Sequence, residues 1–420
     1  MPPLLISALA TALVSGVVAS LLVPPILKLA EAMRTLDHPT EPRKVQAAFV
    51  PRLGGIAIAV GIGAGGMLGL LSDWGSWSQV IPKSELVALP LAVGLIFLVG
   101  VLDDLFGVSP AKKFLVQFLA AWLLVRVGWM FEQINVPGMG TVHLGVWGGL
   151  VSLLWIVGVT NAINLIDGLD GLAGGVAAII SACLLVFALL QGNSGSVVLL
   201  AGIFGACIGF LRHNWEPARV FMGDSGSLTL GFLLGALSLH SAIKAQAAIA
   251  ILMPILALGL PVIDTLLVML VRFFEGDGAS LGRRVNRMFR PDRQHVHHLL
   301  ENLVAHRRQV VMTLYVTALL FCGGALAVAI TGDRALGLGL LALEVVAVLV
   351  MRRMGLARQA KALAEQRMEA LRLKKPSWLG GDETAGGPAV SRDEPASPDA
   401  DSPTESASRA DALPESPPAR

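Results

Sequence analysis

Charge is scarce in this chain. Of its 420 residues only 15% are Asp, Glu, Lys or Arg, while 54% are hydrophobic and the mean hydropathy is +0.70. Soluble domains carry about 25% charged residues, so this composition argues against an ordinary water-soluble protein. Cysteine is scarce too: Cys183, Cys207 and Cys322 are scattered through apolar runs. They lack the spacing of a thiolate metal site or a redox pair, and read as small core residues. No basic segment precedes the first apolar run, so residues 4–27 read as a membrane helix and not as a cleaved leader. No internal repeat of fixed period stands out. The net charge of +2 says little by itself, and no nucleic-acid partner is expected.

What the chain does have is long apolar runs. Eleven segments can be drawn, at 4–27, 53–71, 86–102, 114–131, 146–162, 172–191, 196–211, 227–243, 246–271, 309–330 and 335–352. A helix of about 20 residues spans a bilayer, so the expected fold is all-α, a polytopic membrane protein with about eleven transmembrane helices. The connections differ in charge. Arg34, Arg43, Lys44, Arg52, Lys112, Lys113, Arg212, Arg219 and the run from Arg272 to Arg308 fall on one side, against only Lys83, Lys244 and Arg334 on the other. The positive-inside rule makes the first side cytoplasmic, with the N-terminus outside and the C-terminus inside. Residues 1–352 are expected to form the transmembrane catalytic domain. Residues 353–375 have a basic, helix-forming composition suited to anionic headgroups, and 376–420 are too poor in large apolar residues to build a core.

Five polar clusters interrupt this pattern: 36–55, LDDLFGVSPAKKFLVQ (102–117), NAINLIDGLDGL (161–172), RVFMGDSGSLTLG (219–231) and RRVNRMFRPDRQHVHHLL (283–300). All five fall on the predicted cytoplasmic side. The adjacent carboxylates of Asp103 and Asp104 repel, so they call for a cation, a hydrogen bond or a raised pKa, although a solvated helix end would also suit a lone pair. Asp224 lies between Gly223 and Gly226, where backbone can approach an anion at a helix start; a simple capped turn has the same pattern. Asn161, Asn164, Asp167 and Asp170 recur every three residues along one helical face, more polar groups than an N-cap needs. His295, His297 and His298 lie among arginines without nearby thiolates. That suits phosphate better than zinc, and the basic loop also serves to fix orientation. Converging carboxylates, histidines and cations on one face describe a site for a polyanion and a metal. A transporter would set its carboxylates along the spans, whereas only Asp264 and Glu344 lie well inside them here.

In this order, DD, NxxNxxDGxDGL, FMGDSGSL and HxHH resemble the polyprenyl-phosphate N-acetylhexosamine-1-phosphate transferase superfamily over about residues 1–350. RPDRQHVHHLL and PVIDTLLV are similar to the branch that makes undecaprenyl-pyrophosphate-GlcNAc; the phospho-MurNAc-pentapeptide branch is the alternative. The resemblance implies a multi-pass enzyme of the bacterial inner membrane acting on a UDP-N-acetylhexosamine and a polyprenyl phosphate, with Mg2+ or Mn2+ as its cofactor, and compatible with a homodimer. It implies a metal on Asp224 with Asp103 and Asp104 at the reacting phosphates, and catalytic roles for Asp103, Asp104, Asp167 and His298. Asn164, Asp167 and Asp170 would line the nucleotide-sugar pocket, with Phe221 against the uracil. His295, His297 and His298 would hold phosphate, with Lys113, Arg43 and Lys44 as further contacts. Relatives often carry a histidine in the first loop, where this chain has Gln46.

Overall fold

The computed structural model describes residues 2–33, 50–71, 82–136, 140–244, 251–275, 281–288, 295–301, 303–304 and 306–373. Arg43, Lys44, Gln46 and the tail from 376 onward lie outside the described residues. Met1–Glu365 forms one compact unit and Gln366–Arg420 another; the helices and the site below belong to the first, apart from the last turns of the final helix.

The helices in chain order are α1 (Pro2–Met33), α2 (Gly54–Leu71), α3 (Lys83–Phe106), α4 (Pro110–Arg126), α5 (Val146–Ile166), α6 (Leu172–Leu190), α7 (Ser194–Asn214) and α8 (Gly223–Lys244). They continue with α9 (Leu252–Ala257), α10 (Gly259–Phe274), α11 (Leu281–Met288), α12 (Val296–Glu301), α13 (Arg307–Thr331) and α14 (Arg334–Leu373). Among the described residues nine helices are long and apolar enough to cross a membrane, and the fold is that of a multi-pass helical membrane protein. Helices satisfy their own backbone polar groups, which is why a chain of this composition builds spans from them.

The count of nine against eleven has two local causes. Helix α4, at 17 residues, is short. The segment drawn at 246–271 is broken at Leu258 into α9 and α10. Pro261 has no N–H to offer the carbonyl of Ala257, and that carbonyl accepts instead from the Cys322 thiol at 3.8 Å. A second departure is an antiparallel hairpin between α4 and α5, β1 (Gln133–Val136) with β2 (Gly140–His143), paired from Gln133↔His143 to Val136↔Gly140. Its Ile, Val and Thr residues favour a strand. Helix α14 runs unbroken through residue 352, because RMGLARQAKALAEQ is rich in helix formers and lacks proline.

Helix α8 is the most enclosed of the spans, with α6 and α7 beside it, while α14 is the most exposed. Close backbone approach holds this core. A side chain at Gly205 would overlap the carbonyl of Ala12, and one at Gly209 that of Gly16, so α1 and α7 meet backbone to backbone. Lipid offers no hydrophobic drive for helix association, so such contact supplies the packing energy. All three cysteines are buried and unpaired, as small core residues should be.

Gly205→Val should force α1 off α7 and destabilise the detergent-solubilised protein by about 1–3 kcal/mol. Gly158→Ala, where no atom lies within 4 Å of the added carbon, should be neutral or slightly stabilising. Thermal unfolding of both variants checks this; equal melting temperatures would remove α1–α7 contact as a determinant of stability.

Candidate active site

The last turn of α3 brings Asp103 and Asp104 to the first turn of α8. Asp104 accepts hydrogen bonds from the backbone N–H groups of Asp224 (Oδ1, 2.7 Å) and Ser225 (Oδ2, 2.9 Å). It thereby caps α8 from another helix, with its charge on the positive end of the helix dipole. Gly223 adopts φ +71° beside it, a conformation that side chains resist. A Cβ there would also lie 2.7 Å from both Asp104 oxygens. Position 223 of FMGDSGS is therefore glycine for steric reasons, and Asp104 is placed as a cap on α8.

Asp103 and Asp224 face each other across Lys113. The Lys113 ammonium, one turn into α4, donates to Asp224 Oδ2 at 2.7 Å and to Asp103 Oδ2 at 3.1 Å. Asp103 Oδ1 also accepts from the Val108 N–H at 2.5 Å. Asn164, near the end of α5, donates from Nδ2 to Asp224 Oδ1 at 3.2 Å and to Ser227 Oγ at 2.8 Å. Asn161, one turn earlier, is instead paired with the buried Gln117 of α4 at 2.6 Å and belongs to the packing between those helices.

Past α5 the two carboxylates of IDGLDGL diverge. Asp167 is half-buried beside the cluster. Burial, then the charges of Asp224 and Asp104, push its pKa up to about 7 against a smaller opposing pull from Arg52. Asp170 accepts from the Ala218 N–H at 3.0 Å through Oδ2, which ties this turn to the loop after α7. Asn214 and Tyr315 complete that turn: Gly171 donates its N–H to Asn214 Oδ1 at 3.0 Å, and Tyr315 donates to the Gly171 carbonyl at 2.6 Å. Phe221 is half-buried, and its backbone pairs with Pro51 and Gly54, which binds the FMGDSGS segment to the chain entering α2.

The histidine loop reaches the same place from the far end of the sequence. A side chain at Gly168 would overlap His297 Nε2, so His297 lies directly over the IDGLDGL turn. The three histidines have different surroundings. His295 is buried, with Nδ1 2.9 Å from Asp264 Oδ2. His297 is 2% exposed, its Nε2 has no hydrogen-bond partner, and its ring is stacked with His295 and tilted against His298. Burial, then His298 and His295, push the pKa of His297 down to about 3. His298 is half-buried with Nδ1 3.2 Å from Glu301 Oε2. That hydrogen bond, with Arg307 beside it, holds Glu301 below the usual carboxylate range.

Asp103, Asp104, Asp167 and Asp224 thus share one neighbourhood with Lys113 and, acting on Asp167, Arg52. Among the described residues no three His, Cys, Asp or Glu side chains converge into a ready-made metal cage. Magnesium needs no such cage: it is commonly held by one or two carboxylates with substrate phosphates and water. Asp103 and Asp224, hard oxygen donors bridged by a cation already, fit it. Asp264, Arg352 and Glu301 are the residues whose parts in the site the sequence did not announce. Asp264 stood out only as an acid inside a span, and Arg352 as one of many basic residues near a span end.

Comparison with known proteins agrees with this arrangement. Residues 86–242 match the model of glycosyl transferase family 4. The chain is 33% identical over 312 residues to a probable undecaprenyl-phosphate N-acetylglucosaminyl 1-phosphate transferase of Bacillus subtilis, covering 74% of this chain and 82% of the relative. A decaprenyl-phosphate N-acetylglucosaminephosphotransferase of Mycobacterium tuberculosis is 32% identical over 314 residues, 69% of this chain and 75% of the relative. A phospho-N-acetylmuramoyl-pentapeptide-transferase of Synechococcus sp. is 36% identical over a shorter 243 residues, 54% of this chain and 66% of the relative. With DD, NxxNxxDGxDGL and FMGDSGSL gathered at one end of the bundle and HxHH laid over them, the chain belongs to glycosyl transferase family 4, among the polyprenyl-phosphate N-acetylhexosamine-1-phosphate transferases.

Proposed function

We propose that this protein transfers N-acetylglucosamine-1-phosphate from UDP-GlcNAc to undecaprenyl phosphate at the cytoplasmic face of a bacterial inner membrane. The products are UMP and undecaprenyl-pyrophosphate-GlcNAc, the first lipid-linked intermediate of a cell-envelope polysaccharide. The observation that carries this reading is the cluster of Asp103, Asp224 and Lys113 at the start of α8, with Asn164 and Asp167 beside it. The sugar is taken as GlcNAc because relatives named for its transfer align over 74% and 69% of the chain, against 45% to 64% for pentapeptide transferases.

In the proposed reaction an oxygen of the lipid phosphate attacks the sugar-bearing phosphorus of UDP-GlcNAc. A new P–O bond forms, the bond to the UMP phosphate breaks, and UMP leaves with that electron pair. Two anions must meet, so the residues act mainly by placing charge. Lys113 offsets part of the repulsion, and Asn164 holds Asp224 in position. Magnesium or manganese on Asp103 and Asp224 would supply the remaining positive charge at the phosphates. Asp167, with a pKa near the working pH, is suited to take a proton from the lipid phosphate. His297 and His298 would close over the nucleotide-sugar, with Phe221 against its base. Arg43 and Lys44 would add phosphate contacts.

Purified enzyme given labelled UDP-GlcNAc should release UMP, lose activity on chelation and regain it with magnesium. UDP-GalNAc and UDP-MurNAc-pentapeptide should be poorer donors. Asp224→Asn should lower turnover about a hundredfold or more, since an amide replaces a charged oxygen ligand. Release of UDP would indicate ordinary glycosyl transfer and overturn the mechanism.

Asp167 accepts a proton only when ionised. With a pKa of about 7, kcat/KM should therefore fall as pH drops below that value. Asp167→Asn should remove this limb from the profile as well as lowering the rate. The second pKa of a phosphate monoester is about 6, so a limb that survives the substitution would belong to the lipid phosphate and leave Asp167 without a role as base.

A further inference from the structure

The buried ion cluster behind the histidine loop is separate from the carboxylates at α8. Asp264, in α10, is 7% exposed, and its two oxygens have three partners. Oδ2 is 2.9 Å from His295 Nδ1, while Oδ1 accepts from the Val296 N–H at 3.1 Å and from Arg352 at 3.2 Å. Arg352 belongs to α14 and is 4% exposed, although Arg353 beside it faces outward. One turn on, Gly355 is buried, and a side chain there would overlap Leu299 of α12. Arg352 and Gly355 stand three residues apart, on one face of α14. The last helix thus reaches the histidine segment in two ways: through the Arg352–Asp264 ion pair, whose carboxylate holds His295 and Val296, and by direct contact of Gly355 with Leu299.

The segment held in this way ends at an unsatisfied atom. His295 and His297 are stacked, with ring centroids 6.1 Å apart and planes 14° apart. His297 Nε2, buried and without a hydrogen-bond partner, lies over Gly168 next to Asp167. A buried polar atom without a partner is costly, and its position beside the cluster suits a ligand group that would satisfy it. The ring of His297 is set by its place in α12, and α12 is set by Asp264 and Arg352.

We propose that Arg352, acting through Asp264, is a positioning residue for donor binding: the last helix holds the histidine segment so that His297 meets the nucleotide-sugar. Arg352 neutralises Asp264, and Asp264 fixes both the ring of His295 and the backbone of Val296. This rests on the reading of the carboxylate cluster as the site of sugar-phosphate transfer. Neither Arg352 nor Asp264 touches that cluster, so their removal should weaken donor placement without altering the handling of the lipid acceptor.

The test is steady-state kinetics on the purified full-length protein with Arg352→Gln, Arg352→Lys and Gly355→Ala, using whichever nucleotide-sugar the wild type accepts. Arg352→Gln should raise KM for the donor roughly 10- to 100-fold, the range expected when a binding group is displaced by a remote change. KM for polyprenyl phosphate should stay within about twofold. Arg352→Lys should recover much of the loss, because a single charged contact to Asp264 Oδ1 is within reach of an ammonium. Gly355→Ala leaves every charge in place and pushes α14 off Leu299, and should reproduce the donor-specific effect even if Arg352→Gln is poorly folded. Direct titration of donor, without turnover, should show the same weakening. A donor KM equal to the wild type in both Arg352→Gln and Gly355→Ala would overturn the proposal. So would a loss shared equally by both substrates, accompanied by a lower melting temperature and no rescue by lysine. Wild-type UMP release in the same assay tests the reaction itself, so the two failures are distinguishable.

Discussion

The carboxylate of Asp104 on the Asp224 and Ser225 amides in the first turn of α8 is the contact on which the site depends. A helix start leaves backbone N–H groups without partners, and in a membrane-embedded bundle there is little water to satisfy them. Asp104 satisfies two of them and in doing so ties the end of α3 to the start of α8. Asp103 and Asp224 are carried along on either side of this joint and are brought face to face. Lys113 answers the resulting repulsion at 2.7 and 3.1 Å. A capping contact and an ion bridge therefore build one site together, and neither carboxylate of the DD pair is interchangeable with the other.

That joint works because the helices around it approach very closely. Glycine at 205 and 209 lets α7 meet the backbone of α1, and glycine at 168 makes room for a histidine ring. The proposed reaction would place two phosphate groups against this carboxylate edge, where an error of about 1 Å is expensive. Backbone contact limits such error better than long side chains do. The same reasoning explains why the break between α9 and α10 does not loosen the bundle: the carbonyl released at Ala257 is taken up by Cys322 from α13.

Much of this was legible in the sequence, because lipid imposes simple rules. Ten of the eleven apolar segments fall largely on one helix each, the described part of the other (251–271) falls on two, and the polar motifs that could be followed gather at one end of the bundle. Asn164, Asp224, Lys113 and the DD pair meet as their residue types suggested. Legibility failed where two polar groups far apart in sequence satisfy each other. Asp170 reads like Asp167 in DGLDGL, yet it is used by the Ala218 amide. The three histidines read as one phosphate-binding group, yet their surroundings differ: Asp264 is paired with His295, while His297 is buried over Gly168. The break at Leu258 and the short α4 were likewise hidden from hydropathy, which averages over the proline that interrupts a hydrogen-bond ladder.

Arg352 shows why this kind of information is absent from composition. In sequence it is the first residue after an apolar span and stands beside Arg353, the pattern of a positive anchor at a headgroup layer. In the fold the two arginines part, one outward and one 4% exposed against Asp264. Burying a guanidinium costs several kcal/mol unless it is paired, and the pair with Asp264 offsets that cost only if both charges stay fixed. The requirement is mutual: Asp264, inside a span, would be equally costly without its partners. A basic residue that looks like a topology signal is thereby made part of the frame behind the histidine segment, and the last helix acquires a structural connection to chemistry that lies on other helices.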